Sequence, residues 1–349
     1  MVPTYHDQER IINGTWMLRY PRTKERASIA LLRHVLRTRI QRTPDSGYTR
    51  TVVSLSRSLL ALRSPIKSTV NQSLDSGGWR MKLVANGIAQ FYRRIGDGPP
   101  LVLIHALGLS HQLWEKQVEH LASAFQVITY DVRGHGNSDV PAGPYRISDF
   151  ADDLEGLLDA LGVDTAHLAG ISMGGMIAQE FALTRPQRVR SLLLADTASE
   201  YHQEARRQLA ERARIAEERG IGPLIEPTLE RWFTPEFRST RPIEVDKIRR
   251  LLAATSPVGY ASSCRAIAVA DLTERLVNIS APTLVLVGSD DRSTTPEMAL
   301  EIHEHIPGSR YVVIPSAAHL TNVARPDDFN RAVIEVTNLR RQDATDRTR

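Results

Sequence analysis

The chain has 349 residues, 42% of them hydrophobic, which is enough to bury a sizeable core. Its formal charge of +4 is unevenly spread: residues 1–80 hold 14 Lys/Arg against 5 Asp/Glu, a surplus of +9, while the remainder carries −5. The single cysteine, Cys264, excludes an intrachain disulfide, and apolar runs such as "LVLIHALGL" (101–109) are too short for the roughly 20 residues of a membrane span.

In chain order, residues 1–80 show no clear strand pattern. "RASIALLRHVLRTRIQR" (26–42) reads as a basic amphipathic helix, with Ile29, Leu32, Leu36 and Ile40 along one face, and 51–64 as a weaker second one. Arginines interrupt both runs, so neither is the apolar core of a secretory signal. The expectation is a basic extension, helical or poorly ordered: a targeting leader, a surface arm or the product of a misassigned start. It lacks the aromatic interleaving of a nucleic-acid arm, so no nucleic-acid or membrane partner is expected. A cytoplasmic location suits the lone thiol.

Met81 opens a regular pattern. Strand-like runs follow at Ile88–Arg93, Leu101–His105, Phe125–Tyr130, His167–Ile171, Ser191–Ala195, Thr283–Val287 and Arg310–Ile314. Helical patterns separate most of them, as at 147–162 with Phe150, Leu154, Leu157, Leu158 and Leu161. The later strand runs are short and continuously apolar, as strands are when helices cover both faces of a parallel sheet. Between about 198 and 278 the alternation stops, and the chain becomes rich in Arg, Glu and Ala. The spacing therefore predicts an α/β, mostly parallel, doubly wound sheet over 81–197 and 278–340. A helical cap is inserted at 198–277, and a disordered tail occupies 341–349.

Within this frame, "GISMGG" (170–175) sits where a strand turns into a helix. Gly-x-Ser-x-Gly at such a junction makes a nucleophile elbow: glycines two residues either side of Ser172 let backbones crowd, and the serine is left at the apex. The turn lacks both the P-loop lysine and the spacing of a dinucleotide fingerprint. A serine hydroxyl needs a base and a carboxylate to orient that base. His319, after the last strand, is the preferred base. His303 and His305 lie on a helix, His167 starts a strand, and His135 reads as structural. For the acid, Asp291 is preferred to its neighbour Asp290, with Asp196, at the end of "LLLAD", as the other candidate. The backbone N–H groups of Leu107, in "HALG", and Met173 are the expected oxyanion donors, each worth about 3–4 kcal/mol in the transition state.

Five motifs in order, "HALG" (105–108), "DVRGHGNSD" (131–139), "GISMGG", "GSDDRSTTP" (288–296) and "AAHLTNVARPDDF" (317–329), resemble the α/β-hydrolase family from about Met81 to Thr337. Within that family, "ERWFTPEF" (230–237), "LLAATSPVGYASSCRAIAVADL" (251–272) and "AHLTNV" are similar to 3-oxoadipate enol-lactonases. The resemblance implies hydrolysis of a small acidic enol-lactone by Ser172, Asp291 and His319, with no metal or organic cofactor. It leaves homo-oligomerisation open. Esterase, larger-lactone and carbon–carbon bond hydrolase activities, and a ligand sensor on the same scaffold, are the alternatives. Trp232, Phe233 and Tyr201 are candidate pocket residues. An anionic substrate calls for a cation, and Arg231, Arg238, Arg241 and Arg265 are available, with nothing in the spacing to choose among them.

Overall fold

The computed structural model describes the backbone of residues 78–346 continuously, and upstream the strands 19–21, 39–40, 48–52 and 70–75. The chain divides into two compact units, Met1–Pro65 and Ile66–Arg349. In the first, β1 (Arg19–Pro21), β2 (Arg39–Ile40) and β3 (Tyr48–Val52) form an antiparallel sheet ordered β1-β3-β2. The helices expected at 26–42 and 51–64 lie largely outside the described residues. Where they overlap them, the chain is extended, because Arg39 pairs with Val52 and Ile40 with Thr51.

The second unit carries a nine-stranded sheet. Its strands are β4 (Val70–Asp75), β5 (Gly78–Ala85), β6 (Ile88–Ile95), β7 (Pro100–Ile104), β8 (Gln126–Tyr130), β9 (Ala166–Ile171), β10 (Val189–Ala195), β11 (Thr283–Gly288) and β12 (Arg310–Ile314). Their order is β12-β11-β10-β9-β7-β8-β6-β5-β4. Strands β7 to β12 pair parallel with one another, and from β8 through β6 and β5 to β4 the pairing is antiparallel. The boundary expected at 80/81 is corrected by this edge. It falls inside β5, where Trp79 pairs with Leu74 and Met81 with both Gln72 and Tyr92.

Alternation along each parallel strand splits its side chains between two cores. Val102, Ile104, Leu168, Leu192, Leu194, Val285 and Val287 face one, and Leu101, Leu103, Ala169, Leu193, Leu284 and Leu286 the other. Helices α2 (Ile147–Ala160), α3 (Met173–Thr184) and α9 (Pro296–His305) cover the first. Helices α1 (Glu115–Leu121) and α11 (Pro326–Asp346), the latter preceded by the short α10 (Thr321–Ala324), cover the second. The disordered tail expected from 341 is also corrected, since α11 continues through Asp346. No helix of the described residues is long and apolar enough to cross a membrane.

Between β10 and β11 the chain forms α4 (Gln203–Arg219), α5 (Gly222–Trp232), α6 (Pro235–Thr240), α7 (Pro242–Ala253) and α8 (Pro257–Val269). Proline at the first position of α6, α7 and α8 presets φ where no intrahelical donor is needed. Thr234 Oγ1 and Ser256 Oγ then accept from the N–H groups of Phe237 (3.1 Å) and Gly259 (3.3 Å). At the start of α8 the cap meets the core backbone to backbone: a Cβ on Gly259 would lie 2.0 Å from the carbonyl oxygen of Gly134. Gly259→Ala must therefore force the two segments apart. Overpacking of this kind costs about 1–3 kcal/mol, and a thermal melt should show Tm lower by roughly 3–10 °C.

Candidate active site

Because the strands are parallel, β7, β8, β9, β10, β11 and β12 all end on one edge of the sheet, and the loops that leave them share it. Ser172 follows β9 with φ 55° and ψ −120°, a left-handed conformation that L residues rarely adopt. Its neighbours explain how the strain is held. A Cβ on Gly170 would lie 2.1 Å from the Gly174 carbonyl, and one on Gly174 would lie 2.1 Å from that of Ile104. Gly175 faces Thr197, whose hydroxyl donates to the Ser172 carbonyl at 2.7 Å. The Ser172 N–H donates to Ala195 O at 3.0 Å, tying the turn to β10.

The structure brings Ser172, His319 and Asp291 together. The Ser172 hydroxyl lies 2.9 Å from His319 Nε2, and His319 Nδ1 lies 2.8 Å from Asp291 Oδ2. With a carboxylate at Nδ1, that nitrogen carries the proton and Nε2 is free to accept. Asp291 also accepts from the Ser293 N–H (2.7 Å), the Thr294 N–H (3.1 Å) and the Thr294 hydroxyl (2.8 Å). All three of Ser172, Asp291 and His319 are buried.

The other two acid candidates lie elsewhere. Asp290 is exposed and accepts from Ser289 Oγ. Asp196 is buried and accepts from Gly288 N (3.0 Å), Thr321 N (2.9 Å) and Thr321 Oγ1 (2.7 Å), so it joins the loops after β11 and β12 without touching the imidazole. Burial, reinforced by the charge of Asp291, pushes its carboxyl well above the usual range.

Met173 opens α3, with its N–H among the unpaired donors of a helix start. Leu107 lies in the turn after β7, closed by Leu109 N–H donating to Ala106 O at 3.2 Å. The approach of Gly174 to Ile104 and His105 brings that turn against the elbow. His105 braces it from behind: Nδ1–H donates to Ala106 O (2.8 Å), and Nε2 accepts from Val132 N–H (3.0 Å). That pairing holds His105 neutral, and burial lowers its pKa. His135, beside it, donates from Nδ1 to Arg133 O (3.0 Å), and burial lowers its pKa to about 3.

Of the cap aromatics, Trp232 packs on the His319 ring, with centroids 5.8 Å apart and planes at 30°. Phe233 stacks on Phe237 and lines a cleft of about 320 Å³ between the cap and the loops that carry Asp290 and Ala318. The Tyr201 phenol is held protonated by burial, in the field of both Asp291 and Arg212. The four arginines separate cleanly. Arg238 pairs with Glu230 (3.7 Å), Arg241 with Glu244 (3.6 Å) and Arg265 with Glu217 (2.6 Å), whereas among the described residues Arg231 has no carboxylate partner. Arg212, which the motif reading passes over, also has none and donates to the Tyr260 hydroxyl at 2.5 Å. Spacing gives a partial signal, which Arg206 and Arg219 share. Arg214 has Glu211 and Glu218 three and four residues away, but Arg212 has only Gln208, Leu209, Ile215 and Ala216 at those positions.

Residues 99–218 match a family model described as the alpha/beta hydrolase fold. Over 253 residues the chain is 38% identical to 3-oxoadipate enol-lactonase 2 of Acinetobacter baylyi, covering 72% of this chain and 94% of that protein. The solved enol-lactonase of Burkholderia xenovorans superposes with a TM-score of 0.71 at 34% identity, over 73% of this chain and 98% of its own. A thermophilic esterase of Thermogutta terrifontis, solved with malate bound, gives 0.70 at 33% identity, over 73% and 97%.

The two buried histidines behind the Leu107 turn make stability depend on pH in a defined direction. A histidine whose native pKa is depressed stabilises the fold fully above its unfolded value, near 6.5, and less as pH falls toward the native value. His135→Gln should remove one such proton. Urea unfolding at stepped pH between 6 and 4 is expected to show its stability falling less steeply than wild type, by about 1.4 kcal/mol per pH unit.

Proposed function

Since this chain belongs to the α/β-hydrolase family, we propose that it is a serine hydrolase that opens a small acidic enol-lactone by acyl transfer to water. The observation that carries this reading is the continuous hydrogen-bonded line from the Ser172 hydroxyl through His319 to Asp291. The similarity to two enol-lactonases across nearly their whole length supports the substrate class.

His319 Nε2 takes the proton as Ser172 Oγ attacks the lactone carbonyl. The negative oxygen that forms lies between the N–H groups of Met173 and Leu107, where the start of α3 adds its dipole. Asp291 holds the imidazole in the required tautomer and stabilises the imidazolium. Collapse of the tetrahedral species breaks the bond to the ring oxygen and expels an enolate, which takes a proton and tautomerises to a ketone. Water, deprotonated by His319, then attacks the acyl group and releases Ser172. Trp232, packed at a tilt beside the imidazole, helps keep bulk water from that ring. A carboxylesterase is the second reading, supported by the Thermogutta match. It would use the same residues and is separated by comparing kcat/KM for enol-lactones and for simple aryl esters.

Ser172→Ala should lower kcat on the order of 10⁶-fold. Asp291→Asn should lower it about 10⁴-fold through the wrong tautomer, while Asp196→Asn, which leaves the histidine's partner in place, should cost less than about 10-fold. Steady-state kinetics on an enol-lactone reads all three. Equal losses in the two aspartate variants would overturn the assignment of the acid.

A further inference from the structure

The turn that carries Leu107 is held by the cap as well as by the core. Residues 106–109 close on the bond from Leu109 N–H to Ala106 O, and Gly108, third in the turn, has φ 78°. That is the left-handed position of a type II turn, which glycine fills without strain. The Leu107 N–H and the Ala106 carbonyl belong to one peptide plane, so whatever holds that carbonyl also aims the Leu107 donor. On the core side His105 Nδ1–H does this at 2.8 Å. On the cap side the bond comes from Thr255, whose hydroxyl donates to the Gly108 carbonyl at 2.6 Å.

A threonine at the end of a helix ordinarily turns its proton back to the carbonyl four residues earlier. For Thr255 that is Leu251 O, 3.2 Å away, yet the shorter bond crosses 147 residues of sequence to Gly108. One hydroxyl has one proton, and the distances give it to the turn. The mount is rigid. Thr255 is buried in the short link between α7 and α8, its N–H donates to Leu252 O, and the next residue, Ser256, caps α8. Leu252 and Tyr260, on either side of it, close over Gly108: a Cβ there would lie 2.9 Å from the first and 3.1 Å from the second. With no room for a side chain at 108, the carbonyl is the handle by which the cap holds the turn.

We propose that Thr255 is a positioning residue of the oxyanion hole: its hydroxyl fixes the turn so that the Leu107 N–H points at the oxygen of the attacked carbonyl. This rests on the reading of Ser172 as nucleophile and extends it, because the cap then contributes to the chemical step and not only to what enters. The negative oxygen develops in the transition state, so a donor held off its aim weakens that state and leaves substrate binding nearly as it was. The loss falls on kcat, and equally on lactones and esters, whose carbonyls become the same kind of anion.

The test uses a neutral aryl ester as substrate and a trifluoromethyl ketone as inhibitor, which adds to a serine oxygen and leaves an anion in the hole. Thr255→Val is expected to lower kcat about 10- to 50-fold with KM within about 3-fold, and to raise the ketone Ki by the factor that kcat loses. Thr255→Ser restores the donor and should bring both values to within about 3-fold of wild type. Thr255→Cys, a weaker donor in the same place, should lie between those two variants, and it decides the matter if Thr255→Val does not fold. Thr337→Val, which removes a buried hydroxyl of α11 that donates to Ile334 O at 2.9 Å, should keep the wild-type kcat. A kcat changed less than about 3-fold in Thr255→Val, a loss that falls on KM instead, or no rescue by Thr255→Ser overturns the role of Thr255 and leaves the serine hydrolase standing. Should Ser172→Ala hydrolyse the ester as fast as wild type, the nucleophile falls and the positioning role with it.

Discussion

The site depends on one close contact between backbones. Where β9 turns into α3, the carbonyl of Gly174 occupies the space of a side chain at 170, and the carbonyl of Ile104 occupies that of a side chain at 174. The helix can then start directly behind the strand, and Ser172 is left in a conformation it would not choose. The bonds from Thr197 to the Ser172 carbonyl and from the Ser172 N–H to Ala195 hold it there. The hydroxyl is thus presented on a rigid bend, and its attack geometry is set by packing.

Parallel pairing does the rest of the assembly. Residues far apart in sequence become neighbours because each follows the end of a strand in register with the next: Ile171 with Ala195, Ala195 with Leu286, Gly288 with Ile314. Two buried carboxylates result, and their surroundings give them different tasks. Asp291 sits under the imidazole and accepts three further donors from its own loop. Asp196, one strand over, spends its oxygens on Gly288 and Thr321 and so fixes the loops that deliver Asp291 and His319.

What the sequence discloses follows the strength of the local signal. The Gly-x-Ser-x-Gly turn, the buried runs of β9, β10 and β11 and the order serine, acid, histidine are legible because each is imposed by short-range geometry. The start of the folded unit is not. Strand β4 is the sheet edge and β5 its antiparallel neighbour, both of mixed polarity, and "NQSLDSGGWRMK" shows no apolar run to mark them. The last turns of α11 are obscured in the same way by "RRQDATD", a polar stretch that continues a helix begun at Pro326. Arg212 is hidden by its company. It lies among four other arginines of α4, and because Arg206 and Arg219 equally lack an acid three or four residues away, spacing alone does not set it apart.

The junction of Gly134 and Gly259 has a mechanical corollary. With no side chain between the two segments and the Ser256 hydroxyl capping the helix on the spot, that corner of the cap has no compliance. The cleft beside Asp290 and Ala318 is bounded differently, by the side chains of Phe233 and Arg238, which can change rotamer where a backbone cannot yield. Adaptation to a ligand therefore falls to side chains on that side of the cap, while the glycine contact keeps the cap's hold on the core fixed.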